Sequence, residues 1–237
     1  MKRIGLGIAL LCSFANIAAA AMTPACVPGT LTSYISLGAG GCYIGNDQVS
    51  GFQPLSAFSG ASAISPDAVA VTPSGSDANP TLMFDLTSTA QVNTPTETRF
   101  TYLLTANNIT GSTISISGST AGGDGGVTYA QNLCGAGVFA ADGVSGCTGA
   151  DSSLVVLNSG SDQITFPGVS FLHISDDLTI DAGLAGSASG AHFVDQFTVG
   201  AGGSAVPEPG MFPVLLLSMA AVLYWKRQSV AGLVRNI

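Results

Sequence analysis

Short runs in which apolar and polar residues alternate, set between clusters of Gly, Ser, Asn and Asp, constrain this chain more than any other feature. Thr81-Leu82-Met83-Phe84-Asp85-Leu86 and Thr113-Ile114-Ser115-Ile116-Ser117 are the clearest cases. Successive side chains of a strand point to opposite faces, so these stretches bury one face and wet the other. Strands are predicted at Ala68–Thr72, Thr81–Thr87, Thr98–Ala106, Thr113–Ser119, Val127–Gln131, Ser153–Asn158, Gln163–Phe166, Val169–Ile174, Leu178–Ala182 and His192–Val199. Between them lie Pro73-Ser74-Gly75-Ser76-Asp77, Asn107-Asn108, Gly122-Gly123-Asp124-Gly125-Gly126 and Asn158-Ser159-Gly160-Ser161-Asp162, all of turn composition. Leu31, Tyr34, Ile35 and Leu37 predict one short helical turn, stopped by Gly38–Gly41. Many short strands without a long internal helix predict an all-β body, an antiparallel β-sandwich of jelly-roll-like type.

Charge narrows the function. Only 8% of the residues are charged and 46% are hydrophobic, which is not the composition of a disordered chain. Arg99 is the only basic side chain between Met22 and Val206, an interval that holds thirteen of the fourteen acids. An acidic body without lysine repels phosphate backbones, so nucleic acid is not an expected partner. Cys26, Cys42, Cys134 and Cys147 are an even set outside the first apolar stretch. In an exported chain they read as disulfides. Pairing Cys26 with Cys42 and Cys134 with Cys147 closes the shortest loops and is the expected connectivity. Zinc is the competing use, but no C-x-x-C occurs and the two histidines are far apart in sequence.

The two ends carry address information. Lys2-Arg3, the apolar Ile4–Ile17 and the small residues Ala18–Ala21 form a Sec-type signal peptide over residues 1–21. Near the other end, Met211–Trp225 is an uncharged run of fifteen residues followed by Lys226 and Arg227. As a helix it spans about 22 Å against a hydrocarbon core of about 30 Å. The stems of Lys226 and Arg227 extend that reach by snorkelling and favour the cytoplasmic side. Ahead of the run, Pro207 and Pro209 remove two backbone donors and hold the segment extended, while Glu208 supplies a charge for recognition. Gly200–Ala205 reads as a flexible spacer.

Pro207-Glu208-Pro209, the apolar helix and the Lys226-Arg227 pair together resemble a PEP-CTERM sorting signal. The Cys26–Phe52 segment, with Gly40-Gly41-Cys42, also resembles a segment found in proteins that carry such signals. The resemblance implies transient recognition and cleavage by an exosortase, an integral-membrane cysteine protease, and a bacterium that makes exopolysaccharide. The expected organisation is a signal peptide (1–21), an exported β-sandwich (22–199), a spacer (200–205), a sorting segment (206–228) and a cytoplasmic tail (229–237). The expected partners are the Sec machinery, signal peptidase, exosortase, the inner membrane before processing, and exopolysaccharide. The expected location is the inner membrane for the precursor, then the cell surface or matrix.

Catalytic and cofactor patterns are sparse. His173 and His192 sit in predicted strands without a nucleophile or ligand pattern beside them. No G-x-S-x-G elbow occurs, and the Gly122–Gly126 stretch lacks the G-K-[ST] of a phosphate loop. Asp176-Asp177 reads as an acidic loop between two strands. No catalytic, cofactor or metal residue is therefore assigned, and the chain reads as a non-catalytic surface protein. Two alternatives have distinguishing features. A carbohydrate-binding module needs exposed aromatics, and the body has no Trp. A secreted hydrolase needs two converging acids, and Glu97 is the only glutamate of the body.

Overall fold

The computed structural model describes residues 24–200. The stretches expected to be a signal peptide (1–21) and, beyond Gly200, a spacer, with Pro207-Glu208-Pro209, the apolar run and Lys226-Arg227, lie outside the described residues. The described chain is a β-sandwich built almost wholly from antiparallel strands. In order these are β1 (Gly29–Thr30), β2 (Cys42–Ile44), β3 (Asp47–Leu55), β4 (Ser62–Ala63), β5 (Val69–Ser76) and β6 (Asn79–Thr89). There follow β7 (Thr96–Ser117), β8 (Thr120–Gly122), β9 (Gly126–Gly135), β10 (Ala150–Leu157), β11 (Gly160–Asp181) and β12 (Ser187–Val199). One short helix, α1 (Leu31–Ser36), starts on Thr30, whose hydroxyl accepts the Ser33 N–H.

Two strands of 22 residues each, β7 and β11, make both layers. The first half of β7 pairs with β3 and with the second half of β11, which continues to β9 and β10. This is the first layer. The second half of β7 pairs with β12 and with the first half of β11, and β12 continues to β6, β5 and β1. This is the second layer. The strands turn the corner where the β7–β11 register slips between Thr165 and Val169 and again before Phe171. Slips of this kind bend a strand and let it change sheets. Pro167 and Gly168 sit in the slipped stretch, where a missing N–H and a missing side chain do least harm.

The corner corrects the strand boundaries expected from composition. Asn107-Asn108 is not a turn: β7 runs through it, joining two predicted strands. Likewise three predicted strands fuse into β11, and Asp176-Asp177 lies inside that strand, not in a loop. β3 is a strand that the alternation did not predict.

The core lies between the layers. Phe84 of the second layer meets Phe100 of the first at 4.9 Å between ring centroids, and Tyr129 meets Phe193 edge-on at 5.5 Å. The α1 residues Leu31 and Tyr34 are buried, and Tyr34 packs edge-on against Phe52 at 5.2 Å. Aromatic pairs of these geometries add about 0.5–1.5 kcal/mol beyond their area burial.

The core also holds two carboxyl groups. Asp195 of β12 is hydrogen-bonded by the hydroxyls of Tyr102 and Tyr129, which reach across from the first layer. Asp176 accepts from Gln131 Nε2 at 3.1 Å, and Gln131 Oε1 accepts from Ser112 at 2.7 Å. Burial raises both carboxyls, Asp195 to about 8 and Asp176 well above its ordinary range. Asp195 is therefore protonated at neutral pH. The sequence explains why: the body's single base, Arg99, is on the outer face and cannot neutralise either carboxyl.

Candidate binding cleft on the first layer

β3 carries a bulge. Ser50 pairs with Leu103 and Gln53 with Thr101, so Gly51 and Phe52 together oppose Tyr102. Gly51 has φ of 66°, which a residue with a Cβ rarely adopts. Such bulges recur beside functional sites, because they re-aim side chains. Here Phe52 turns inward to stack on Tyr102 at 4.8 Å, while Ser50 and Gln53 both stay on the outer face.

Register then assembles the site from three strands. Ser50, Leu103 and His173 lie in one row across β3, β7 and β11; Gln53, Thr101 and Ser175 lie in the next. All of these but Ser175, together with Ala39, Gly51 and Tyr102, line a cleft of about 210 Å³. The Ser50, Gln53, Thr101 and His173 side chains make no hydrogen bond among the described residues, although Ser50 is only 4% exposed. Burial lowers the His173 pKa, so its ring is neutral above mildly acidic pH.

Two loops flank the cleft, and each is closed by a disulfide. Cys26–Cys42 sits next to the Gly38–Gly40 turn that presents Ala39, and Gln48 Nε2 ties that turn to β3 by donating to Gly40 O at 2.8 Å. Cys134–Cys147 closes the loop between β9 and β10. In that loop Asp142 accepts from the Val144 and Ser145 amides, and Phe139 stands 6.4 Å from the His173 ring. Gly143 lies so close to Leu55 and Thr101 that a Cβ there would meet them at 2.8 and 3.0 Å. All four cysteines are thus paired locally, as the loop-length argument expects, and none is free to hold zinc.

Two acids do converge on the same face, nearer its other end. Glu97 and Asp177 flank Arg99, whose Nε is 4.0 Å from Glu97 Oε1 and 3.5 Å from Asp177 Oδ2. Glu97 is 1% exposed and its carboxylate accepts the Phe58 N–H. Burial and the neighbouring Asp177 raise its pKa against the lowering by that N–H and by Arg99. Arg99 Nη1 donates to Ser56 O at 3.0 Å, and its guanidinium lies 4.0 Å from the centroid of the exposed Phe58 ring. The cluster anchors the 56–58 segment to the sheet. It does not present an acid pair to a substrate, because Glu97 is covered by the segment it holds.

The histidines serve different layers. His192, on the outer face of the second layer, pairs with Asp85 directly opposite on β6. His173 lines the cleft of the first. Sequence reading treated both as plain strand residues. The signal it lacked is the register that sets His173 beside Ser50, Gln53 and Thr101.

No protein-family model matches the chain, and no curated protein matches it. Among solved structures, TmCBM61 in complex with β-1,4-galactotriose is 12% identical, with 65% of this chain and 87% of that one covered, at a TM-score of 0.22. A likeness at that score transfers no residue and no ligand.

Proposed function

We propose that this chain is an exported surface or extracellular-matrix protein with a non-catalytic structural role associated with exopolysaccharide, sorted through its C-terminal tail. The observation that carries the reading is the pair of local disulfides on an all-β body. Such bridges form and persist in oxidising compartments, which is where a signal peptide would send the chain. The Pro207-Glu208-Pro209 motif, apolar run and basic pair supply the route from membrane to surface, with an exosortase as transient partner. The arrangement of carboxyls agrees with a structural role. Asp176 and Asp195 are committed to the core, and Glu97 and Asp177 to a loop anchor.

The test is replacement of Pro207, Glu208 and Pro209 by alanine in the native host. The expected outcome is an uncleaved precursor retained in the inner membrane. Mass spectrometry of the wild-type protein should then find both mature ends trimmed and no free thiol. Unchanged processing of the alanine variant removes the sorting reading, and free thiols remove the compartment argument.

A further inference from the structure

The cleft beside the β3 bulge gathers four polar side chains whose hydrogen-bonding groups are open to solvent: Ser50 is buried, Thr101 and His173 are half-buried, and Gln53 is exposed at the rim. Ser50, Gln53, Thr101 and His173 come from three strands, line one hollow of about 210 Å³, and have no partner among the described residues. The fold holds them there with a bulge and with two disulfide-closed loops. A hydroxyl, a carboxamide and a neutral imidazole each both donate and accept. A ligand matched to this lining is therefore a molecule rich in groups that do the same.

Charge and size define that molecule further. The lining residues are all uncharged, with His173 held neutral by burial. An ionic ligand would find no countercharge and would lose its hydration. Leu103 and Ala39 offer apolar contact for a C–H face. The volume is below the roughly 300–1,000 Å³ typical of pockets for drug-sized ligands, which leaves room for about one six-membered ring. Gln53 and Ala39 are exposed at the rim, so a ring within a longer chain can enter as well as a free one.

We propose that this cleft binds one neutral sugar residue, with Ser50, Gln53, Thr101 and His173 as its hydrogen-bonding groups and Leu103 beneath the ring. The proposal does not rest on the sorting tail. A chain with Pro207, Glu208 and Pro209 replaced by alanine binds equally, so failure of either reading leaves the other standing.

The experiment is a nitrogen-15 NMR titration of the purified full-length protein in mild detergent. The probes are glucose, galactose, mannose and N-acetylglucosamine, with glucuronate and inorganic phosphate as charged comparators. At least one neutral sugar should shift the Gln53 side-chain amide and the His173 ring resonances, with a millimolar Kd. Gln53→Ala and His173→Ala should each weaken it about fivefold, the worth of one hydrogen bond. Ala39→Trp, which fills the hollow from an exposed position, should abolish the shifts while the rest of the spectrum stays in place. His192→Ala, on the other layer, should change nothing. The proposal is overturned if no neutral sugar moves these resonances, if binding survives Ala39→Trp, or if glucuronate or phosphate binds more tightly.

Discussion

Asp195→Asn should make this protein more stable in alkali, and the size of the effect follows from the core. Asp195 is fully buried between two tyrosine hydroxyls, with no cation near it. An ionised carboxylate there would gain two charge-assisted hydrogen bonds, worth about 1.5–3 kcal/mol each. Against this stands the transfer of an unpaired ion from water, on the order of 20 kcal/mol in the idealised limit and still several after relaxation. Desolvation wins, and it is the largest cause of the rise from 3.8 to about 8. Between those two values the folded state binds more protons than the unfolded one. Stability therefore falls as pH rises through this window and is fully kept below the unfolded value. From about pH 5 to about pH 8 the loss is about 4 kcal/mol, three units at roughly 1.36 kcal/mol each. A neutral carboxyl accepts through one oxygen and donates through the other. Asparagine reproduces that pattern without titrating. Urea unfolding with disulfides intact, followed by far-ultraviolet circular dichroism, should find the variant within about 1 kcal/mol of wild type at about pH 5 and about 4 kcal/mol above it at about pH 9. Asp176 is present in both proteins, so the difference between them isolates Asp195. An Asp195→Asn protein that is less stable at alkaline pH would refute the reasoning: the tyrosines would then be holding an ion.

Other perturbations probe the surface. Replacing Cys134 and Cys147 together by serine should lower stability by about 3 kcal/mol, the worth of closing a loop of this length, and limited proteolysis should then cut within residues 136–146 first. Arg99→Met should speed hydrogen exchange at the Phe58 amide and cost about 2–3 kcal/mol, at the low end for a broken buried pair because Asp177 is partly solvated. That cost should grow with pH, as the buried Glu97, whose pKa burial raises, ionises without its cation.

Much of the architecture was legible because burial imposes a period on the sequence. Thr81–Leu86 and Thr113–Ser117 alternate without interruption, and both lie within strands, β6 and β7. Leu31 and Tyr34 fall one helical turn apart, and both are buried by α1. The failures have a physical pattern too. In β3 the inward residues Val49 and Phe52 are three apart, because the bulge at Gly51 adds a residue; period two is lost and with it the strand signal. Asn107-Asn108 looks like a turn because a strand that changes layers needs tolerant residues at its bend. Asp176 looks like a loop residue because sequence shows a charge where the fold has a fully buried acid, its pKa raised by that burial, bonded to Gln131. The cleft was out of reach, since Ser50, Thr101 and His173 meet only through inter-strand register.

The position of the disulfides argues that the body was shaped around the outer face of its first layer. The core has little need of them: six aromatic side chains are fully buried in it, and two 22-residue strands stitch the layers together. Loops are different. The 136–149 segment packs against the sheet through Gly143 and Phe139 and buries little apolar surface of its own, so its closed state is weakly held. The turn at Gly38–Gly40 is in the same position, tied to β3 by one side-chain hydrogen bond. A covalent link acts where packing is thin, and these two links close the loops on either side of the cleft. Reduction should therefore leave the layer-to-layer core signals of Tyr129 and Phe193 in place while releasing the amides of residues 136–147. A reduced protein that lost both sets together would make the bridges part of the core after all.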